Sequence, residues 1–412
     1  MLSEPGPRPV RYQPVLPLGA ALGAGGRIPA PFPLDQRRLL LTFSGTAAMA
    51  QAFEALGLPR GATVLCPSFN CGHEIEPLVR RGLRVECYRV GPNLEADLGD
   101  IERRLGRGAR ALLITHYFGF AQPLADLRAL CDRHGIYLVE DCAHAFLSDD
   151  ARGTLGRTGD IAVYSFRKSL PVPNGGAVLA NSDAVSLPPR LRRPPRLTTW
   201  LKGLALARKG ALDRVRDRGA VVDIFALAAL APPVIASELL ERVHPGAGTA
   251  CYDPDDDDLG FDSSILGWGI GPYSAGLLRR LDWRGFAGRR RHNYRVLANG
   301  LRRMGAALLL PEIEDHTCPL FLPLVVERRV EVFKYLIDRR IYSAIWWDQR
   351  HPAVDWSEFP DAAELKQRVL ALPVHQDLDD EQIERMLTAL GDCPALGGTT
   401  SLVETGQPVR SG

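Results

Sequence analysis

"PLADLRALCDRHGIYLVEDCAHA" occupies residues 123–145 and contains one full period of the fold. Apolar residues at 124, 127, 130 and 131 recur at helical spacing, and Gly135 stops the pattern. "IYLVED" then reads as a short buried strand, followed by the polar cluster Asp141, Cys142 and His144.

The same alternation runs through the first half of the chain. "LLLTF" leads into a helix beginning at "SGTAAM", and "ATVLCPS" is a strand. "EIEPLVRRG" is helical, "LRVECYRV" a strand, "DLGDIERRLGRG" a helix and "ARALLITHYFG" a strand. Strands alternating with helices imply right-handed βαβ units. The expected fold is therefore α/β, a mostly parallel sheet flanked by helices. In such sheets the chemistry collects beyond the carboxyl ends of the strands.

From about Asp282 a second series begins, including "PLFLPLVV", "RVEVFKYLIDRR", "YSAIWW" and "DEQIERMLTALG". It reads as a smaller C-terminal α/β domain. The expected organisation is an irregular Pro/Gly-rich segment over 1–36 and a large domain over 37–259. The large domain carries an Arg/Pro/Leu-rich insertion near 185–255. The smaller domain covers 260–394, and a disordered tail covers 395–412.

Bulk properties exclude several classes. The 412 residues are 46% hydrophobic and 24% charged, enough for a large core. The net charge of +2 gives no global reason to expect nucleic acid as a partner. Eight scattered cysteines form no CxxC pair, so neither a metal centre nor a disulfide framework is expected. The apolar run "GAVVDIFALAALAPPVIASELL" is interrupted by Asp223, Pro232 and Pro233, which argues against stable membrane insertion. "MLSEPGPRPVRYQPVLPLG" lacks a signal-peptide layout, so a cytoplasmic location is expected.

Three features behind the strands form a pattern. In "GDIAVYSFRKSLPVPNGGAVLA" (159–180), Lys168 interrupts two segments that read as buried strands. A lysine there is costly unless its amine is used, as in Schiff-base chemistry. Asp141 ends the strand "IYLVED", and Gly45-Thr46 opens a helix whose free N–H groups suit a phosphate. Each alone reads more simply as a surface lysine, a cap or a turn. Lysine, aspartate and phosphate seat together point to pyridoxal phosphate better than any one of them does.

With "SGTAAM", "CPSF", "VEDCAHA", "LGRTGDIAVYSF" and a lysine followed after six residues by Gly-Gly, the chain resembles the DegT/DnrJ/EryC1/StrS sugar aminotransferases of fold type I. The resemblance is strong over about 40–180. It resumes at "RVLALPVHQDLDDEQIERML". It implies Lys168 as the Schiff-base lysine and general base, and Asp141 as partner of the pyridine nitrogen. His144 would lie near the phenolic oxygen, with Gly45, Thr46 and Ser165 on the phosphate.

Departures from the family pattern are also visible. Cys71 stands near the position of the ring-stacking aromatic, with His73 as the other candidate. Only Arg167 separates "SF" from Lys168, and Arg167 is a candidate phosphate or substrate contact. Asp262 replaces an asparagine expected to reach the neighbouring subunit's phosphate. Trp346, Trp347 and His351, with Tyr342, either meet substrate or pack a core.

The expected activity is amino transfer from a donor such as glutamate to a keto group, in this family usually on a nucleotide-linked sugar, by a homodimer. Two alternatives are a sugar dehydratase, which would carry His in place of Lys168, and a catalytically degenerate scaffold.

Overall fold

The computed structural model describes residues 7–21, 23, 26, 28–150, 153–197, 199–201, 203, 206–207 and 263–396. Asp262, the acidic run at 253–258, most of the insertion and most of the tail lie outside the described residues.

The first strands are β1 (Leu39–Thr42), β2 (Thr63–Pro67), β3 (Arg84–Tyr88), β4 (Ala109–Thr115) and β5 (Tyr137–Asp141). A two-residue pair, β6 (Asp149–Asp150) and β7 (Gly153–Thr154), precedes β8 (Ile161–Ser165) and β9 (Gly176–Ala180). Seven of these strands form one sheet in the order β1-β9-β8-β5-β4-β2-β3. The run from β8 through β5, β4 and β2 to β3 is parallel, whereas β9 is antiparallel to both β8 and β1. The connection over residues 166–175 is too short for a crossover helix, so the chain returns antiparallel. Every residue of β2, β8 and β9 is buried, as expected for strands covered on both faces.

The helix Leu124–His134 buries Leu124, Leu127, Leu130 and Cys131 and ends at Gly135, which takes the left-handed conformation and donates to the Cys131 and Asp132 carbonyls. The helix Gly45–Ala55 is capped by Ser44, whose Oγ accepts from the Ala47 N–H at 3.1 Å. Gly176 lets β9 start against that cap. A side chain there would lie 2.4 Å from the Ser44 carbonyl oxygen and 2.8 Å from the Gly45 nitrogen.

A second sheet contains β10 (Phe321–Val325), β11 (Ala344–Ile345) and β12 (Val369–Pro373), in the antiparallel order β10-β12-β11. The long helix Phe286–Arg303 and the helix Asp380–Gly391, with a capping box at Asp379 and Gln382, cover it. Leu320 N–H donates to the Phe118 carbonyl at 2.8 Å, and Cys318 N–H to Ser148 Oγ at 2.9 Å. These bonds join the second sheet's entry to the loops behind β4 and β5.

Two elements differ from the sequence expectation. "YSAIWW" forms only a two-residue strand, because Trp347 turns into the left-handed region at φ 65°. The N-terminal segment is irregular but anchored. Val10 bridges Ile341, Val15 N–H donates to Asp377 Oδ2 at 2.7 Å, and Gln382 Nε2 donates to the Pro9 carbonyl at 3.0 Å.

Buried Glu140 on β5 organises the turn before β8. It accepts from the N–H groups of Gly156 (2.9 Å), Thr158 (2.8 Å) and Gly159, and from His116 Nε2 at 3.1 Å. Burial pushes its carboxyl up, but the bonds from His116, Gly159 and Gly156 outweigh that and hold it below the usual range. Glu140→Gln sets an amide N–H against these donors. The expected loss is roughly 3 kcal/mol, read as a lower urea midpoint at unchanged m-value. An unshifted midpoint would show that the turn does not depend on the charge.

Candidate active site

Asp141, His144 and Lys168 converge behind β5 and β8. Lys168 lies on a single helical turn, Phe166–Ser169, that follows β8 directly. Its Nζ is 2.9 Å from His144 Nε2. His144 Nδ1 accepts from the Phe118 N–H at 3.3 Å. Burial, and then the Lys168 charge, hold the His144 ring well below the ordinary histidine value and keep it neutral.

Asp141 is 7% exposed at the end of β5. Its Oδ1 accepts from the Ala143 N–H at 2.8 Å. Burial pushes its carboxyl up to about 6; Lys168 opposes the shift and buried Glu74 adds to it. A carboxylate this costly to ionise is stabilised by a cation, and a protonated ring nitrogen is one.

The remaining groups fit a phosphate. The N–H groups of Gly45 and Thr46 lie in the first helical turn and have no intrahelical acceptor. A Cβ on Gly45 would be 2.8 Å from the Ser165 Cβ and 3.0 Å from its Oγ. That hydroxyl therefore faces the helix N-terminus, and it caps no helix itself. Amine, carboxylate and anion seat fit pyridoxal phosphate.

Two indoles from the second sheet complete the site. Trp346 lies with its ring centroid 5.1 Å from Lys168 Nζ and meets His144 edge-on at 4.9 Å. Trp347 stacks on His144 at 5.1 Å with an interplanar angle of 11°, and packs against Phe69, Tyr117 and Phe118. Trp347 thus both packs a core and touches the site.

The other expected residues fall elsewhere or act indirectly. Arg167 is exposed. His351 is buried and bonds Glu76 Oε2 at 2.8 Å through Nε2, so it ties the two halves together. Tyr342 N–H donates to the Val10 carbonyl. Cys71 bonds Glu74 through both its N–H (3.0 Å) and its Sγ (2.6 Å). Burial, with Glu74 adding, pushes the Cys71 thiol far up.

Two buried residues, Glu74 and Lys366, escaped the sequence reading. Glu74 lies in the loop behind β2, and Lys366 follows no strand directly. Lys366 is on an amphipathic helix, where a lysine reads as solvent-facing. The ligand-type atoms of His116, Glu140 and Cys142 lie within 4.8 Å of one another, but both Glu140 oxygens already accept backbone N–H bonds.

Residues 34–190 match the profile of the DegT/DnrJ/EryC1/StrS aminotransferase family. GDP-perosamine synthase of Vibrio cholerae is 34% identical over 145 residues, 34% of this chain and 40% of that protein. A dTDP-4-dehydro-2,3,6-trideoxy-D-glucose 4-aminotransferase of Saccharopolyspora spinosa is 24% identical over 85% of this chain and 83% of its own length. The PLP-form structure of the putative sugar aminotransferase Spr1654 from Streptococcus pneumoniae superposes with a TM-score of 0.63 at 15% identity, covering 92% of this chain and 97% of that one. Over residues 34–190 the chain is similar to the DegT/DnrJ/EryC1/StrS aminotransferase family.

Proposed function

We propose that the protein is a pyridoxal-phosphate-dependent aminotransferase acting on a keto group of a nucleotide-linked sugar or related intermediate, with an amino acid such as glutamate as donor. The observation that carries this reading is the Lys168 amine, 2.9 Å from His144 beside buried Asp141. The relatives' names, which include sugar aminotransferases acting on GDP-, dTDP- and UDP-linked compounds, support the acceptor class. A cytoplasmic homodimer is part of the proposal, as the family resemblance implies.

Pyridoxal phosphate, when bound, supplies a ring that takes up electrons from the substrate carbon. The chain's own groups do the rest. Asp141 would hold a proton at the pyridine nitrogen and be stabilised by that charge. The N–H groups of Gly45 and Thr46 and the Ser165 hydroxyl would bind the phosphate. Lys168 Nζ would be the amine that holds the cofactor and would serve as the general base that moves a proton, with His144 orienting it. Trp346 and Trp347 keep bulk water from that amine. The presence of Lys168 argues against the dehydratase alternative.

The test loads the full chain with pyridoxal phosphate and adds glutamate, then a panel of keto-sugar nucleotides. Amino product from at least one acceptor, with the cofactor adduct trapped by borohydride on Lys168, supports the reading. A chain that takes up no cofactor sinks it and favours the scaffold alternative. Sedimentation of the same sample reads the oligomeric state, and a monomer with full turnover removes the homodimer.

A further inference from the structure

We propose that Lys366 is a positioning residue: its buried ammonium locks the loop behind β2 to the Trp346–Trp347 turn and so holds both indoles over His144 and Lys168. Lys366 is 1% exposed. Its Nζ donates to three backbone carbonyls, those of Asn70, Trp347 (2.8 Å) and Gln349 (2.9 Å). An ammonium has three donors, and all three are used. They reach carbonyls of two loops that belong to different sheets.

Each tethered loop is itself a site wall. Asn70 lies in the loop behind β2, where its Nδ2 donates to the Pro67 and Ser68 carbonyls and the Tyr117 hydroxyl donates to the Phe69 carbonyl at 2.6 Å. That loop continues into Cys71 and Glu74. On the other side, Trp347 adopts φ 65°, a conformation a bulky aromatic residue avoids. Such strain persists only where the surroundings over-determine it. The surroundings here are Lys366 on the Trp347 carbonyl and Arg329, which bonds Asp348 Oδ1 at 2.5 Å and the Lys366 carbonyl.

The charge is not held there for stability alone. Burial is the main cost of keeping the ammonium, which is pulled down to about 8. Glu74, Cys71 and Asp348 favour the charged form, and Arg350 opposes it. An apolar side chain of equal length would avoid that desolvation. What it would lose is the three-way tether, and with it the placement of Trp347 on His144 and Trp346 on Lys168.

This inference concerns the site of the proposed aminotransferase, so its primary test does not depend on cofactor. The cofactor-free full chain is reductively methylated with formaldehyde and cyanoborohydride. Peptide mapping then gives the labelling rate of Lys168 relative to exposed Lys334. Lys366→Met should raise that ratio at least about tenfold, because the covering turn opens locally. Trp347→Ala should raise it similarly, and the double variant should exceed neither single one, since both act through the same turn. An unchanged ratio in folded Lys366→Met, or additive effects in the double variant, overturns the proposal. If Lys366→Met does not fold, Lys366→Arg decides. Its fork cannot match three converging carbonyls, so an unchanged ratio there also overturns the proposal. In cofactor-loaded protein, Lys366→Met should lower kcat with cofactor retained. A wild-type chain that takes up no cofactor sinks the aminotransferase reading and leaves the labelling result standing.

Discussion

Lys168→Ala is expected to fold with a normal unfolding midpoint and to lose turnover by more than about 10⁴-fold, because attachment and proton transfer disappear together. The fold should tolerate the change. Lys168 is only partly buried, on a turn whose backbone bonds do not involve its side chain. The check has two arms. Rates are measured with saturating donor and acceptor, and borohydride-treated wild-type protein is mapped for the labelled peptide. A label on another lysine, or a variant retaining more than a few per cent of wild-type rate, would remove Lys168 from the chemistry. Lys202 and Lys209, the nearest later lysines in the chain, lie outside the described residues.

Asp141→Asn separates chemistry from stability. With cofactor bound, the amide cannot hold a pyridinium proton, so kcat should fall by roughly 10²- to 10⁴-fold while cofactor is retained. Without cofactor the same substitution should stabilise the protein near neutral pH. The folded-state value of Asp141 is raised from the ordinary 3.8 to about 6. The group's favourable contribution is therefore complete below about 3.8 and is lost as pH rises through about 6. Above that range the ionised, buried carboxylate costs up to about 3 kcal/mol. Cofactor-free Asp141→Asn should exceed wild type in urea midpoint at pH 8, with the difference vanishing at pH 4. An equal midpoint at both pH values would mean that the folded chain does not hold Asp141 in a costly ionised state. A near-normal turnover in the loaded variant would reduce Asp141 to a cap for the Ala143 N–H.

The layered architecture follows from information local to each segment. Helical spacing over 124–131, a stop at Gly135 and a continuous apolar run to Asp141 are decided by neighbours in the chain, and the parallel sheet follows from their alternation. The same locality made Gly45, Thr46, Asp141, Ser165 and Lys168 stand out as candidates, because each ends a strand or lies within four residues beyond one, and strand ends in such a sheet share one edge. His144 was readable for the same reason, three residues past Asp141.

What encloses the amine was not local. Trp346 and Trp347 reach His144 from a second sheet, and nothing in "YSAIWWDQRHP" says whether those rings face substrate or core. His351 looked like a substrate contact, yet it is spent on Glu76, 275 positions earlier. Lys366 reads as one more charged residue on an exposed helix face, and it is buried because carbonyl oxygens 296, 19 and 17 positions away converge on it. The sequence by itself determined the sheet and which side chains stand at its strand ends. Only the tertiary structure decided which charges lie buried and which rings cover the lysine, because burying a charge is affordable only where distant backbone supplies its hydrogen bonds, and periodicity carries no record of those partners.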